Sequence, residues 1–134
     1  MAISILIVDD HARIREGLRR HLEMQEDFIV VGEAANGREG VAQAELLRPD
    51  VILMDVAMPE MDGIEATRLI CRRLPQVKVM ILSIYNSADH CCRAMDSGAL
   101  GYVLKESASE EVVSAARAIM KGDHYFGVGV ANFQ

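Results

Sequence analysis

Apolar and polar positions alternate along the chain in a pattern that predicts five strand–helix units. Short apolar runs rich in β-branched residues are typical of buried strands, and apolar residues spaced three or four apart are typical of amphipathic helices. The first unit combines an apolar run, Ile3–Val8, with Ile14, Leu18 and Leu22 on one helix face. The other predicted strands cover residues 28–31, 51–54, 77–82 and 100–104. Repeated strand–helix units predict an α/β fold, a parallel sheet with helices on both faces.

Turn and cap residues mark the boundaries between these elements. Gly32 is predicted to close the second strand, and Asn36-Gly37 to form a turn. Gly98 is predicted to end the fourth helix. The predicted N-caps are Asp62, Asn86-Ser87 and Ser107, which would form a capping box with Glu110.

The third predicted strand runs directly into a carboxylate, Asp55. Pro59 fixes its own φ and restricts Met58, so neither a strand nor a helix continues through this stretch. Asp55 is therefore expected at the carboxyl end of a central strand, on the edge where open α/β sheets bind ligands. Taken alone, Asp55 fits either a structural cap for a neighbouring loop or a chemical group.

Polar residues also end three other predicted strands. Asp9-Asp10 follow the first strand, Ser83 the fourth and Lys105 the fifth. Taken singly, they have ordinary explanations: acids at a helix N-terminus, a strand-end cap and a solvated surface lysine. Because the carboxyl ends of parallel strands share one edge of the sheet, all of them are expected to converge near Asp55.

Length and composition narrow the class of protein. A chain of 134 residues predicts one domain, and 51% apolar with 25% charged residues is ordinary for a globular protein. A net charge of −6 argues against electrostatic nucleic-acid binding by this chain itself. Three cysteines without metal-type spacing, and no secretory signal, predict reduced thiols and a cytoplasmic protein. The apolar run at residues 1–8 is too short for a membrane span.

The chain resembles the response-regulator receiver domains (CheY-like) of two-component signalling over nearly its whole length. The matching positions are Asp9-Asp10, residues 55–63, Ser83, residues 98–105 and the final helix. It is most similar to receivers followed by a LuxR-type helix-turn-helix, the NarL/FixJ group. The positions carrying that closer likeness are residues 101–105 leading into Glu110-Glu111, and Gly122 followed by Tyr125. The resemblance implies a flavodoxin-like (βα)5 doubly wound parallel sheet with strand order 2-1-3-4-5.

The same resemblance implies a magnesium site. Three neighbouring carboxylates repel one another unless a cation joins them, and Mg²⁺ prefers oxygen ligands. The expected ligands are Asp10, Asp55 and the backbone carbonyl of Ala57, with Asp9 acting through a water.

By resemblance, Asp55 takes a phosphoryl group from the phosphohistidine of a sensor histidine kinase. Lys105 is the expected second cation, and Ser83 the hydrogen-bond donor to the acyl phosphate. Ser83 is expected to move toward the phosphate and Tyr102 to turn inward behind it, shifting the face formed by the fourth helix, fifth strand and fifth helix. The expected output is transcription through a C-terminal DNA-binding domain outside this chain, with phosphorylation-dependent homodimerisation as a further option.

The expected boundaries are a receiver at residues 1–122 and the start of a linker or disordered tail at residues 123–134, with the effector domain absent. Two alternatives stay open: a phosphorylation-independent interaction module, and an aspartyl-phosphate phosphohydrolase. Ala57 occupies the position where such hydrolases carry a second acid, which favours an acceptor with at most slow autodephosphorylation over an enzyme. The clustered acids argue against a pure scaffold.

Four residues depart from the family pattern or have a role that stays open. Ile84 and Tyr85 follow the hydroxyl where a small residue is frequent, which predicts a shielded acyl phosphate that hydrolyses slowly. Glu106 follows the lysine where the family often has a cis proline, and the conformation of this peptide bond is left open. His11 either tunes the acid site or is a solvent-facing loop residue.

Overall fold

The computed structural model describes residues 2–130, which form one sheet with helices on both faces. The strands are β1 (Ile3–Val8), β2 (Phe28–Ala34), β3 (Val51–Asp55), β4 (Lys78–Ser83), β5 (Gly101–Leu104) and β6 (Tyr125–Phe126). The helices are α1 (Ala12–Glu23), α2 (Gly37–Leu47), α3 (Gly63–Arg73), α4 (Ala88–Asp96) and α5 (Ala108–Met120), with a 3₁₀ turn at Lys105–Ser107. Strand order is β2-β1-β3-β4-β5-β6, and every pair is parallel. The predicted flavodoxin-like order is confirmed, with one added strand.

The core lies in two layers, one on each face of the sheet. Helices α1 and α5 pack their apolar faces on one side, and α2, α3 and α4 on the other. Every residue of β3 is buried, as expected for a central parallel strand that is covered on both faces. The centre of the sheet, which positions the site, is therefore packed on both faces.

The predicted end of the second strand at Gly32 is wrong. Strand β2 continues to Ala34, because β1 runs alongside it and keeps pairing. Ile5 pairs with Val30 and Leu6 with Gly32, so one extra residue is accommodated by a bulge. Glycine at position 32 allows close packing of β2 against α2, because a Cβ there would lie 2.7 Å from the Leu47 side chain on α2.

Two of the predicted helix N-caps are confirmed and one is wrong. Asp62 and Ser87 cap α3 and α4 by accepting hydrogen bonds from the backbone N–H of Glu65 and His90. The predicted capping box at Ser107 is wrong, because the 3₁₀ turn runs directly into α5 and the Ser107 side chain makes no cap hydrogen bond. Asn36, predicted in a turn, is the N-cap of α2.

The segment after α5 joins the sheet. Strand β6 pairs with β5, so these two residues are not a loose end, and the other half of that expectation, the start of a linker, stays a prediction. The part of that expectation that falls on residues 131–134 lies outside the described residues. Within residues 2–130 no peptide bond is cis, which settles the Lys105–Glu106 bond as trans. None of the helices in that range has the length and apolarity needed to cross a membrane.

Candidate functional site

The acids of the site come from two neighbouring strands. Val8 pairs with Met54, so the residues that follow β1 lie beside the end of β3. The Asp9 side chain is fully buried and Asp55 is 2% exposed, whereas the Asp10 side chain is 29% exposed. The sheet register therefore places two of these carboxylates under the surface and the third at the rim.

A single ammonium group lies between the two buried carboxylates. Lys105 Nζ is 3.1 Å from Asp9 Oδ2 and 3.2 Å from Asp55 Oδ2. The 3₁₀ turn after β5 holds this side chain over the site. Neither of these two buried oxygens accepts a well-directed hydrogen bond from a described residue. Buried acceptors in this state favour an additional cation.

Burial and the neighbouring charges in the cluster shift the pKa values of Asp55 and Lys105. Burial and the neighbouring Asp9 raise the pKa of Asp55 to about 6, against the opposing attraction of Lys105. Burial lowers the pKa of Lys105, but its contacts with Asp9 and Asp55 outweigh burial and raise that pKa. With the lysine charged, the three acids leave a net negative site, so a divalent cation would stabilise it.

His11 belongs to this cluster, although its position in the sequence left its role open. Its Nδ1 lies 3.2 Å from Asp9 Oδ1 and 3.0 Å from Asp10 Oδ1. One ligand atom from each of Asp9, Asp10, His11 and Asp55 lies within 4.8 Å of the others. The cluster could therefore hold a metal ion, and its three carboxylates suit a hard cation such as Mg²⁺. The only sequence signal for His11 was its place directly after the acid pair.

Ser83 lies at the end of β4, one residue after Leu82, which pairs with Asp55 in the neighbouring strand. It is buried, and its Oγ accepts a hydrogen bond from the backbone N–H of Tyr85 at 3.0 Å. A cleft of about 140 Å³ opens over these residues. Its lining is His11, Asp55, Val56, Ala57, Ser83, Ile84, Tyr85 and Lys105. Ala57 thus faces the same space as Asp55 and Lys105.

Tyr102 already points inward in this structure. Its side chain is 1% exposed, and its hydroxyl donates a hydrogen bond to the Tyr85 carbonyl oxygen at 2.6 Å. Burial raises the pKa of this phenol. Tyr102 and Ser83 line a second, smaller cavity of about 60 Å³ beside α4. The loop after β4 is therefore tied to both residues. Because Tyr102 is already inward, the expected inward turn has no outward starting position in this structure, and a change in the contacts of Tyr102 on phosphorylation stays a prediction.

Comparisons with a family model and with curated proteins match the chain to the same family. Residues 5–117 match the family described as the response regulator receiver domain. The chain is 43% identical over 126 residues to response regulator protein VraR of Staphylococcus epidermidis, covering 94% of this chain and 60% of that protein. This chain thus spans about 60% of the length of the curated relatives that it matches.

Two solved structures superimpose closely on the chain. A LuxR-family two-component response regulator from Aurantimonas matches with a TM-score of 0.88 at 35% identity, covering 93% of this chain and 89% of that one. The signal receiver domain of NarL from Mycobacterium tuberculosis matches with a TM-score of 0.86 at 31% identity, covering 90% and 98%. The family match at residues 5–117 includes every residue of the acid cluster.

Proposed function

This chain belongs to the response regulator receiver family of two-component signalling, and from that premise we propose that Asp55 is its phosphoacceptor. The observation that carries the proposal is the pairing of a buried carboxylate with a cation at 3.2 Å, on the floor of an open cleft. Asp10 at the rim and Asp9 beneath Lys105 complete the acidic side of the site. The chain acts as an acceptor that turns over at most by slow autodephosphorylation.

The transfer needs a nucleophile and neutralising charge. An Asp55 oxygen attacks the phosphorus of a phosphohistidine, the P–O bond forms, and the P–N bond breaks with the electron pair leaving on the imidazole. Lys105 balances negative charge on the phosphoryl oxygens. Bound Mg²⁺ would supply the remaining positive charge; we assign it to Asp10, Asp55 and the Ala57 carbonyl, with Asp9 acting through a water. The Ser83 hydroxyl donates to the new acyl phosphate.

The conformational response follows from the hydrogen bonds around Ser83. In this structure the Ser83 Oγ accepts a hydrogen bond from the Tyr85 N–H, and the Tyr85 carbonyl oxygen accepts one from the Tyr102 hydroxyl. A phosphoryl group adds about −1.5 to −2 charge and strong acceptor oxygens. Drawing Ser83 toward that group would free the loop after β4 and change how Tyr102 and β5 are held. We propose this as the switch of the face formed by α4, β5 and α5.

The partners proposed for the whole protein follow from its relatives. A sensor histidine kinase is the donor, and a C-terminal DNA-binding domain outside this chain carries the output to transcription. Phosphorylation-dependent homodimerisation would bring two such domains together. The net charge of −6 is consistent with leaving DNA contacts to another domain.

Phosphorylation is expected to require a divalent cation. Incubation with acetyl phosphate and Mg²⁺ should add one phosphoryl group per chain, because the buried acids need a second cation before a dianionic phosphoryl group can approach. With EDTA the same incubation should give at least a hundredfold lower rate, on the scale of other electrostatic contributions to transfer. Intact-mass spectrometry measures both. A chain that stays unmodified with Mg²⁺, or is modified equally in EDTA, contradicts the proposal.

Ile84 is expected to slow hydrolysis of the acyl phosphate. Its side chain lines the cleft and is 69% exposed, so it can cover the phosphoryl group against water. Ile84→Ala should shorten the half-life of the phosphorylated protein severalfold, measured by intact mass after removal of the donor. Leu46→Ala, which truncates a similarly exposed aliphatic side chain on α2, is the matched control. Equal half-lives for Ile84→Ala and wild type would reject shielding.

A further inference from the structure

A second buried carboxylate lies outside the acid cluster. Glu111 on α5 is 7% exposed and faces the segment that follows its own helix. The Tyr125 hydroxyl donates to its Oε1 at 2.8 Å, and the Val128 N–H lies 3.1 Å and 3.2 Å from its two oxygens. No lysine, arginine or histidine among residues 2–130 forms an ion pair with Glu111. Its charge is therefore satisfied by donors of that segment.

The same segment lies along the outer edge of β5. Tyr125 N–H donates to the Leu100 carbonyl at 3.0 Å, and Gly127 N–H donates to the Tyr102 carbonyl at 2.8 Å. A Cβ on Gly127 would lie 3.2 Å from a backbone atom of β5 and 3.1 Å from the Glu111 carboxylate. Glycine at this position lets the segment sit close to both.

We propose that the outer edge of β5 is a strand-docking surface whose occupant is this chain's own segment, residues 125–128, and that Glu111 is the residue that recognises it. Edge-strand docking combines backbone hydrogen bonds with a side-chain contact that gives specificity. Here the specific contact is a carboxylate that accepts from a tyrosine hydroxyl and from a backbone N–H three residues later. Because only two residues pair in β6, the charge-assisted hydrogen bonds to Glu111 supply much of the stabilisation of the docked segment.

The docked segment is connected to the acid site through Tyr102. The carbonyl oxygen of this residue accepts from Gly127, and its hydroxyl donates to the Tyr85 carbonyl in the loop beside Ser83. A displacement that shifts the Tyr102 backbone would therefore move the docking surface itself. The connection to phosphorylation rests on the proposed function, whereas docking through Glu111 does not.

Amide hydrogen exchange at Val128 tests the docking. Glu111→Gln replaces an anionic acceptor by a neutral amide and should speed exchange at Val128 roughly tenfold or more, on the scale of a hydrogen bond to a charged group. Glu110→Gln, the same change at the exposed neighbouring position, should leave exchange unchanged. Equal exchange in the two variants overturns the proposal. So does exchange that depends on protein concentration, which would identify a second copy of the chain as the occupant.

A second variant guards against a general loss of folding. If amides of β3 also lose protection in Glu111→Gln, Tyr125→Phe carries the test, since it removes one hydroxyl and leaves α5 unaltered. Exchange at Val128 should then rise severalfold with β3 unaffected. Unchanged exchange at Val128 in Tyr125→Phe overturns the proposal.

Addition of Mg²⁺ and beryllofluoride tests the connection to the acid site. Exchange at Gly127 in the wild type should change at least threefold when the analogue binds, because the Tyr102 carbonyl is its acceptor. Bound analogue with identical exchange at Gly127 overturns the connection. If no analogue binds, the proposed function is contradicted instead, and the comparison of Glu111→Gln with Glu110→Gln still decides the docking.

Discussion

Replacing Asp55 by asparagine is expected to abolish phosphorylation by acetyl phosphate in the presence of Mg²⁺. The substitution keeps the shape of the side chain and removes the nucleophilic oxygen anion. The other buried carboxylate, Asp9, is not expected to take over, because it is fully buried and does not line the cleft that Asp55 faces. Intact mass should show one added phosphoryl group in the wild type and none in Asp55→Asn.

The matched control for this prediction is Asp96→Asn, the same change at an exposed position on α4. It should be phosphorylated like the wild type. An Asp55→Asn protein that gains a phosphoryl group at the wild-type rate would place the acceptor elsewhere.

The same variant should be more stable than the wild type at neutral pH without a divalent cation. The carboxyl pKa of Asp55 is about 6 in the folded state against an ordinary value of 3.8, so the folded protein binds more protons between these values. Wild-type stability therefore falls as pH rises through this window. Asparagine has no charge to lose, and its advantage should grow from near zero below pH 4 to on the order of 2–3 kcal/mol above pH 6. Urea unfolding in EDTA at several pH values measures the difference.

Replacing Lys105 by methionine is expected to slow phosphoryl transfer by about 10²–10³-fold, the scale of losing one preorganised positive group. The substitution also leaves Asp9 and Asp55 buried side by side without a cation. The cost to folding should be several kcal/mol at neutral pH without Mg²⁺, unless the carboxyls take up protons. Mg²⁺ should bind at least as tightly as in the wild type, since one positive charge near the acids is gone. Transfer rates by quenched intact mass and Mg²⁺ titration separate the two effects.

Two controls bracket the Lys105 prediction. Lys105→Arg keeps the charge but replaces a compact ammonium by a planar fork, so it should recover stability more fully than transfer rate. Lys121→Met removes an exposed lysine after α5 and should change neither. A Lys105→Met protein with wild-type transfer rates would remove Lys105 from the proposed chemistry.

The sheet and the meeting of its polar strand ends could be predicted from the sequence for a simple reason. Buried parallel strands appear as apolar runs, and their carboxyl ends must share one edge. The residues at or directly after the ends of β1, β3 and β5 are polar, and the structure brings Asp9, Asp55 and Lys105 within ion-pair distance. Strand order came from the family resemblance, because spacing along the chain does not order strands.

Other features could not be predicted because they depend on contacts across the fold. Gly32 has the sequence signature of a strand end, yet β1 continues beside it and a bulge absorbs the mismatch. Ser107 has a capping-box spacing, yet the 3₁₀ turn leaves no extended cap geometry. Strand β6 has only two residues, too few to show an alternation of apolar and polar positions. The segment is held by hydrogen bonds to Glu111 from residues 14 and 17 positions away.

The central claim is that Asp55 carries the phosphoryl group, and chemical location of that group tests it most directly. Borohydride reduces an aspartyl phosphate to homoserine, which peptide mass spectrometry assigns to one position. After incubation with acetyl phosphate and Mg²⁺, we predict homoserine at position 55 of the wild-type chain and aspartate at positions 9 and 10. Homoserine at position 9 or 10, or a phosphorylated chain with none at position 55, would contradict it.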